Sequence, residues 1–180
     1  KCGQLTQIQS VDKAVGGCVP NVAIDLMRLD KTLNVYASGK VGKDADAEYV
    51  LSVLKENGVN VDQVKFDDNA TSFTNVMSIS GGERTFFTYA GASANFGSSD
   101  VDDELLSAEM FHLGYFLLLD KIDKGDGLEL LKRAKKLGTK TSIDLVSENS
   151  DRYSLVVPVL EYTDNIIINE IEAQNISGIN

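Results

Sequence analysis

The chain has 180 residues, of which 43% are hydrophobic and 24% are charged, a composition that favours neither a disordered nor a membrane-spanning protein. Its formal net charge of −10 argues against nucleic acid as a partner, because phosphate backbones attract clustered lysine and arginine. The first residues, "KCGQLTQIQS", lack the apolar segment of a signal peptide, and the longest apolar runs are too short to cross a bilayer. We therefore expect a cytoplasmic protein that contacts no membrane.

The first half of the chain alternates between helices and strands. Apolar spacing predicts helices over residues 20–29 and 45–57, with a buried strand over 33–42 between them and Gly58 as the end of the second helix. Two β-prone runs, 71–79 and 84–90, surround the turn "SGGE" and predict a hairpin. Residues 3–15 alternate weakly and are predicted to be extended and to pair beside this hairpin as part of a small β lid.

After the hairpin the alternation resumes. We predict strands at 110–116, 140–146 and 164–169, and helices at about 125–137, 151–162 and 170–177. This order predicts an α/β fold with a mostly parallel sheet flanked by helices. No repeat or linker interrupts it, so we predict one domain over residues 1–180, with lid segments at about 3–15 and 71–92.

Cysteine and histidine are scarce. Cys2 and Cys18 do not make a disulfide framework, and both are expected to be reduced residues that fill packing space. His112 is the only histidine and is expected to pack within a strand. With no histidine pair and no cysteine cluster, the sequence offers no plausible ligand set for zinc.

Glycine and polar residues gather where the predicted strands end. Gly16 and Gly17 precede Asn21 at the start of a helix, and Gly42 closes a strand. Asp144 and Asn169 each follow a strand, at the edge where open α/β sheets bind ligands. Each feature has a plainer interpretation as a turn or as a helix cap, and the residues alone leave both open.

The stretch "IIINEIEAQNISG" at 166–178 combines a buried strand with Asn169, Glu170 and Glu172. Carboxylates favour the first turn of a helix because the unpaired amides there carry partial positive charge. The same terminus attracts phosphate, and a carboxylate one turn along can hold the accompanying metal ion.

Four motifs are shared with a known family. The stretches "GGCVPNVAIDLMRL", "SGKVGKDADAEYVLSVLKENGVNVDQV", "TSFTNVMSISGGERTFFTYAGASANF" and "DNIIINEIEAQNISG" resemble the ribokinase-like (PfkB) carbohydrate kinases in identity, order and spacing. The resemblance covers essentially the whole chain. It implies a ribokinase-like fold and ATP-dependent phosphorylation of a hydroxyl on a sugar or nucleoside.

The resemblance also implies roles for individual residues. Gly16, Gly17 and Asn21 would hydrogen-bond sugar hydroxyls, with Gly42 and Asp44 near the same pocket and with Tyr89, Gly91 and Ala92 at its border. Asp144 is expected to reach this pocket because of its position at the end of a strand. Asn169 would face the ATP phosphates, and Glu172 would hold Mg2+ through water. The β lid of the family often pairs with that of a second subunit, which implies a homodimer.

Two family features have no counterpart here. These are a strand whose aspartate grips the sugar and a "GAGD"-like segment that supplies an anion hole and the general base. The sequence is thus expected to be the central part of a kinase, with no catalytic base before Asn180 and no turnover of its own. The alternative is a non-catalytic module, derived from such a kinase, that binds sugar or dimerises.

Overall fold

The computed structural model describes residues 3, 5, 7–79, 81–146 and 151–179. Strands and helices alternate, as the apolar spacing predicts. The strands are β1 (Tyr36–Val41), β2 (Asn60–Phe66), β3 (Phe73–Ser78), β4 (Arg84–Tyr89), β5 (Met110–Phe116), β6 (Lys140–Leu145) and β7 (Asn165–Ile167). The helices are α1 (Cys18–Leu29), α2 (Ala45–Glu56), α3 (Asp103–Leu106), α4 (Gly127–Lys136), α5 (Val157–Leu160) and α6 (Glu170–Ser177).

The strands form two parallel sheets and one hairpin. β1 pairs with β2, and β5, β6 and β7 pair in that order, all in parallel. β3 and β4 form an antiparallel pair that stands apart from both sheets. The predicted α/β class with mostly parallel strands and a small β lid is therefore confirmed.

Each parallel sheet has its own hydrophobic core. Ala23 and Met27 of α1 pack with Leu54 of α2 over the β1–β2 sheet. The larger core surrounds α4, whose Leu130 and Leu131 are fully buried beside residues of β5 and β6. Helices cover the sheets because parallel strands joined by crossovers must bury their faces.

Asn95 lies in a short 3-10 turn at residues 91–95 and contacts residues at the ends of β1 and β2 and in the segment after β5. Its carbonyl oxygen accepts hydrogen bonds from Lys40 of β1 at 3.0 Å and from Lys121, beyond β5, at 3.3 Å. Its side-chain amide donates to both oxygens of Asp67, just past β2, at 3.1 Å. One residue thus ties the ends of β1 and β2 to the segment that follows β5.

Two local predictions are wrong, and one strand was not predicted. The described residues of 3–15 contain no strand, so the lid sheet there has two strands and not a third beside the hairpin. The helix predicted over 151–162 is a 3-10 turn at 152–155 followed by the single-turn α5, because Pro158 lacks the amide that a continuous helix needs and sits at a helix start instead. β2 is missing from the prediction, although Val59, Val61 and Val64 mark it.

A search of the described residues for a helix with the length and apolar character of a membrane span finds none.

Candidate functional site

Gly17 sets the entry into α1. It is the residue before the helix, with φ of +93°, a conformation that side chains rarely adopt. The backbone N–H of Asn21 donates to the Gly17 carbonyl at 3.2 Å, and the Asn21 side chain is exposed one turn inside the helix. Gly16 and Gly17 have open space around them, so another molecule can approach their backbone closely.

The first turn of α1 packs against β5 and β6. Cys18 enters a gap left by Gly114, where an added Cβ would overlap the Cys18 sulfur and lie 2.8 Å from the Cys18 Cβ. The Cys18 thiol lies 3.4 Å from Asp144 Oδ2 and donates to it. The predicted glycine motif and the predicted strand-end aspartate are therefore neighbours, although Cys18 and Asp144 are 126 residues apart in the chain.

Asp144 is held from three sides. Its Oδ1 accepts a hydrogen bond from the backbone N–H of Tyr115, a non-glycine residue with φ of +57°. Its Oδ2 lies 3.6 Å from His112 Nε2. Burial raises the pKa of Asp144, but the His112 imidazole, the Tyr115 amide and the Cys18 thiol outweigh it, so the pKa is lowered. Asp144 is thus a carboxylate at neutral pH, suited to accept hydrogen bonds from hydroxyl groups.

Cys18 is a thiol and not an activated nucleophile. Burial, the charge of Asp144 and the hydrogen bond to it raise the pKa of Cys18 to about 12. A reactive cysteine needs the opposite, a pKa lowered toward neutrality by nearby positive charge. The cluster of Cys18, His112 and Asp144 therefore does not provide the thiolate that nucleophilic catalysis requires.

Gly42 and Asp44 lie at the root of the lid. The two Asp44 oxygens accept hydrogen bonds from the Thr71 amide and the Thr71 hydroxyl, both at 2.7 Å, and Asp44 also caps α2 through the Ala47 amide at 2.9 Å. The Thr71 hydroxyl in turn accepts from the Gly42 amide at 2.9 Å. A Cβ on Gly42 would lie 2.6 Å from the Thr71 nitrogen. This root fastens the turn after β1 to the start of the hairpin.

The other end of the hairpin joins the same root. The Ala92 amide donates to the Ala70 carbonyl at 2.8 Å, and Ala92 is fully buried. Gly91 has φ of +48°, and a Cβ there would overlap the Ala70 carbonyl oxygen. The Tyr89 ring packs 5.5 Å from that of Phe73 and remains 44% exposed. Gly91 and Ala92 are thus placed by backbone packing, whereas Tyr89 belongs to the lid surface.

Asn169 and Glu172 form a reciprocal cap at the start of α6. Asn169 Oδ1 accepts from the Glu172 amide at 2.9 Å, and Glu172 Oε2 accepts from the Asn169 amide at 3.1 Å. Glu172 is only 4% exposed. The cap follows β7, whose Ile167 is in register with Asp144 on β6, so Asn169 lies beyond the same edge of the sheet as Asp144.

The predicted residues lie in three places. Gly16, Gly17 and Asn21 lie at the start of α1, which contacts Asp144 through Cys18. Gly42, Asp44, Gly91 and Ala92 lie at the lid root. Asn169 and Glu172 lie beyond β7. Asp120, also at a strand end, forms an exposed ion pair with Lys124 at 2.7 Å and takes no part.

The sequence pattern does not reveal four residues of the α1 cluster. Cys18 and His112 have the pattern of packing residues, and nothing in the pattern distinguishes Ser142 and Tyr115. The pairing of β5 with β6 is the observation that connects these residues. His112 pairs with Ser142, so Asp144 lies two residues further along β6, at the level of Gly114. That Cys18 fills the Gly114 gap has no counterpart in the sequence pattern.

The profile of the "pfkB family carbohydrate kinase" matches residues 2–180, and the chain belongs to this family. It is 33% identical over 144 residues to the "Probable fructokinase-6, chloroplastic" of Arabidopsis thaliana, which covers 78% of the chain and 37% of that enzyme. It is 28% identical over 178 residues to "Fructokinase-2" of Solanum habrochaites, covering 93% of the chain and 54% of that enzyme.

Solved structures agree on the fold. A fructokinase of Xylella fastidiosa with bound ATP superimposes with a TM-score of 0.83 at 22% identity, over 99% of this chain and 59% of the other. The 2-dehydro-3-deoxygluconokinase of Thermotoga maritima gives 0.83 at 22% identity, over 97% and 56%. The chain spans about half the length of the relatives that it matches.

We predict that Gly114→Ala destabilises the protein through its clash with Cys18. Overpacking of this kind costs about 1–3 kcal/mol, and the double variant Gly114→Ala/Cys18→Ala should recover much of that loss, because removing the sulfur opens the gap. Urea unfolding of the wild type, both single variants and the double variant measures the coupling. Gly39→Ala, on β1 with open space around it, is the matched control. Additive effects of the two substitutions would contradict the packing described here.

Proposed function

We propose that the protein is an ATP-dependent kinase that phosphorylates a hydroxyl of a sugar, and that this chain carries its sugar pocket and part of its phosphate site. The observation that supports the proposal most strongly is that Cys18, directly after the Gly16–Gly17 turn, contacts Asp144 at the carboxyl edge of a parallel sheet. Ligands of open α/β sheets bind at that edge. Membership of the pfkB family supplies the class of reaction.

The sugar side of the site consists of an open backbone turn beside a carboxylate. The amides near Gly16 and Gly17 and the exposed Asn21 side chain would bond sugar hydroxyls, and the Asp144 carboxylate would accept a hydroxyl proton in a hydrogen bond. Glycine is needed at position 17 for the positive φ that opens the turn. Together these groups would orient the polyol, which is a large part of what a protein contributes to phosphoryl transfer.

The lid root would border this pocket. In this proposal Gly42 and Asp44 act through the root, since the Asp44 oxygens bond Thr71 and Ala47. Tyr89, Gly91 and Ala92 would then define the border on the lid side. A lid fastened by its root and free in its strands is suited to exclude water while phosphate is transferred.

Asn169 and Glu172 would face ATP. The N-terminus of α6 carries the partial positive charge that attracts phosphate. Asn169 uses its oxygen in the cap, and an asparagine amide nitrogen is a donor suited to phosphate oxygens. A buried glutamate is also the kind of oxygen ligand that Mg2+ takes, with water in its other positions, so the residues present fit the ion. When bound, Mg2+ neutralises charge on the transferred phosphate.

Fructose is the first substrate to test. The relatives that match at 28% and 33% identity are named as fructokinases, whereas the structural neighbours at 22% identity support the fold alone. A nucleoside acceptor is the second possibility that the family resemblance raises. The cytoplasmic location stays a prediction, and one relative is named as chloroplastic.

The experiment is a coupled assay for ADP release with Mg-ATP and a panel of fructose, other hexoses and adenosine. We expect the full-length protein to phosphorylate a sugar, with fructose among the best. We expect the 180-residue chain alone to show no turnover, because none of its segments resembles the family's "GAGD"-like motif. A full-length protein that binds sugar in a thermal-shift screen but transfers no phosphate would instead support the non-catalytic module.

Glu172→Gln separates the metal role from the capping role. The glutamine oxygen can still accept from the Asn169 amide, so the melting temperature should change little. Loss of the negative charge should lower kcat by about tenfold or more and raise the Mg2+ concentration needed for half-maximal rate. The control is Glu170→Gln, an exposed carboxylate in the same first turn. A Glu172→Gln enzyme with unchanged Mg2+ dependence would contradict the metal role.

We also propose that the lid pairs with a second subunit. Phe86 and Phe87 are each 60% exposed and, as neighbours along β4, lie on opposite faces of the hairpin. A hairpin with aromatic side chains exposed on both faces is stabilised by a covering surface, and a monomer would leave it in water.

Two single substitutions identify the pairing face. Phe86→Ser and Phe87→Ser remove equal apolar area from opposite faces, so each is the matched control of the other. In sedimentation experiments on the full-length protein, we expect one of them to raise the dimer dissociation constant at least about tenfold while the other changes it little. A monomeric wild type, or a dimer that both substitutions leave intact, would overturn the lid dimer.

A further inference from the structure

The cluster at the start of α1 contains titratable side chains that the proposed sugar binding does not use. Cys18 Sγ, His112 Nε2 and Asp144 Oδ2 all lie within 4.8 Å of one another. The three pairwise distances are 3.4 Å for sulfur to oxygen, 3.7 Å for sulfur to nitrogen and 3.6 Å for nitrogen to oxygen. The kinase proposal gives a role to Asp144 only. Cys18 and His112 are left without one.

The triangle has the dimensions of one face of a zinc tetrahedron. Bond lengths of about 2.3 Å to sulfur and about 2.0–2.1 Å to nitrogen and oxygen, at tetrahedral angles, place such ligand atoms about 3.3–3.6 Å apart. The longest observed separation, 3.7 Å between Cys18 and His112, needs only a slight rotation of either side chain. The three groups are thus already spaced as ligands before an ion arrives.

Neighbouring groups orient His112 and Asp144 toward the cluster. His112 Nδ1 lies 3.1 Å from the Ser142 hydroxyl, a contact that assigns the other ring nitrogen, Nε2, to the cluster. The Tyr115 amide holds Asp144 Oδ1, which turns Oδ2 toward Cys18 and His112. Hydrogen bonds of this kind to the second atom of a ligand are usual around protein metal sites.

Charge and ligand type select the class of ion. Within the described ranges, the ion pairs of lysine and arginine all go to other carboxylates, so His112 is the basic side chain beside Asp144. A set of sulfur, imidazole and carboxylate suits zinc and similar ions far better than Mg2+, which takes oxygen ligands. The side chains of His112 and Asp144 are 21% and 19% exposed, so water can reach a fourth position.

We propose that Cys18, His112 and Asp144 form a binding site for a zinc-class divalent cation, with three protein ligands and an open fourth position. When Zn2+ binds, the Cys18 thiol loses its proton to solvent and the resulting thiolate coordinates the ion. The site is assembled from α1, β5 and β6. Cys18 is 94 residues from His112 and 126 residues from Asp144 along the chain. Sequence reasoning excluded zinc because it required a histidine pair or a cysteine cluster.

Co2+ is the probe that tests the site, because its spectrum reports thiolate ligands and tetrahedral geometry. The full-length protein, prepared without a histidine tag, stripped with chelator and kept free of nucleotide and sugar, is titrated with Co2+. We expect one ion per chain, with a thiolate-to-cobalt charge-transfer band in the near ultraviolet and visible bands of tetrahedral Co2+. Zn2+ should abolish both, and excess Mg2+ should not.

Variants assign the ligands. Cys18→Ala should remove the charge-transfer band, and His112→Gln and Asp144→Asn should each weaken Co2+ binding at least about tenfold. Ser142→Ala should weaken it less, and Cys2→Ala is the matched cysteine control, expected to change nothing. The wild-type spectrum decides the case even where a variant fails to fold. A wild type without the band, or a band that survives in folded Cys18→Ala, would overturn the site whatever the outcome of the kinase assay.

Discussion

The close approach of Cys18 to Gly114 and Asp144 is the contact on which the rest of the site depends. The two parallel sheets share no described strand pairing, so their carboxyl edges are aligned by other contacts. One is the first turn of α1, which belongs to the β1–β2 half and packs its Cys18 into β5 and β6. Another is Asn95, which bonds Lys40 of β1, Asp67 just past β2 and Lys121 beyond β5. These contacts bring polar groups that are distant in sequence to one edge.

The lid root explains why the hairpin can be exposed and still have a fixed position. Six lid residues on each strand are exposed, so little apolar burial holds the hairpin in place. Its ends are instead fastened by polar contacts, with Asp44 bonded to Thr71 and the Ala92 amide bonded to the Ala70 carbonyl. Hydrogen bonds to a carboxylate are stronger than neutral ones and are directional, so the Asp44 end can orient a weakly packed sheet, and the backbone bond keeps the other end beside it.

Sequence patterns predicted the elements whose causes are local. The period of apolar residues identified α2, Gly58 ended it with a positive φ, and the turn "SGGE" identified the β3–β4 hairpin. At the site, the sequence identifies residues that belong to a family motif or that follow a strand. It also predicts the Asn169–Glu172 cap, because the two residues are three positions apart at a helix start. The Cys18, His112 and Asp144 cluster was not found, because it depends on how α1 packs across two strands. Pairing of residues 3–15 with the lid was wrongly expected because weak alternation cannot identify a partner strand.

The capping and phosphate interpretations of "NEIE" are compatible. The reciprocal cap is present, and it fixes Asn169 and Glu172 at a helix terminus that attracts phosphate. A cap can therefore prepare a phosphate site by holding its side chains in place before the ligand binds. We propose that the sugar binds at the edge that holds Gly17, Asn21 and Asp144. A crystal structure of the full-length protein with its sugar substrate tests this most directly: we predict sugar hydroxyls hydrogen-bonded to the Asp144 carboxylate and to the α1 terminus, and a sugar bound away from both would contradict it.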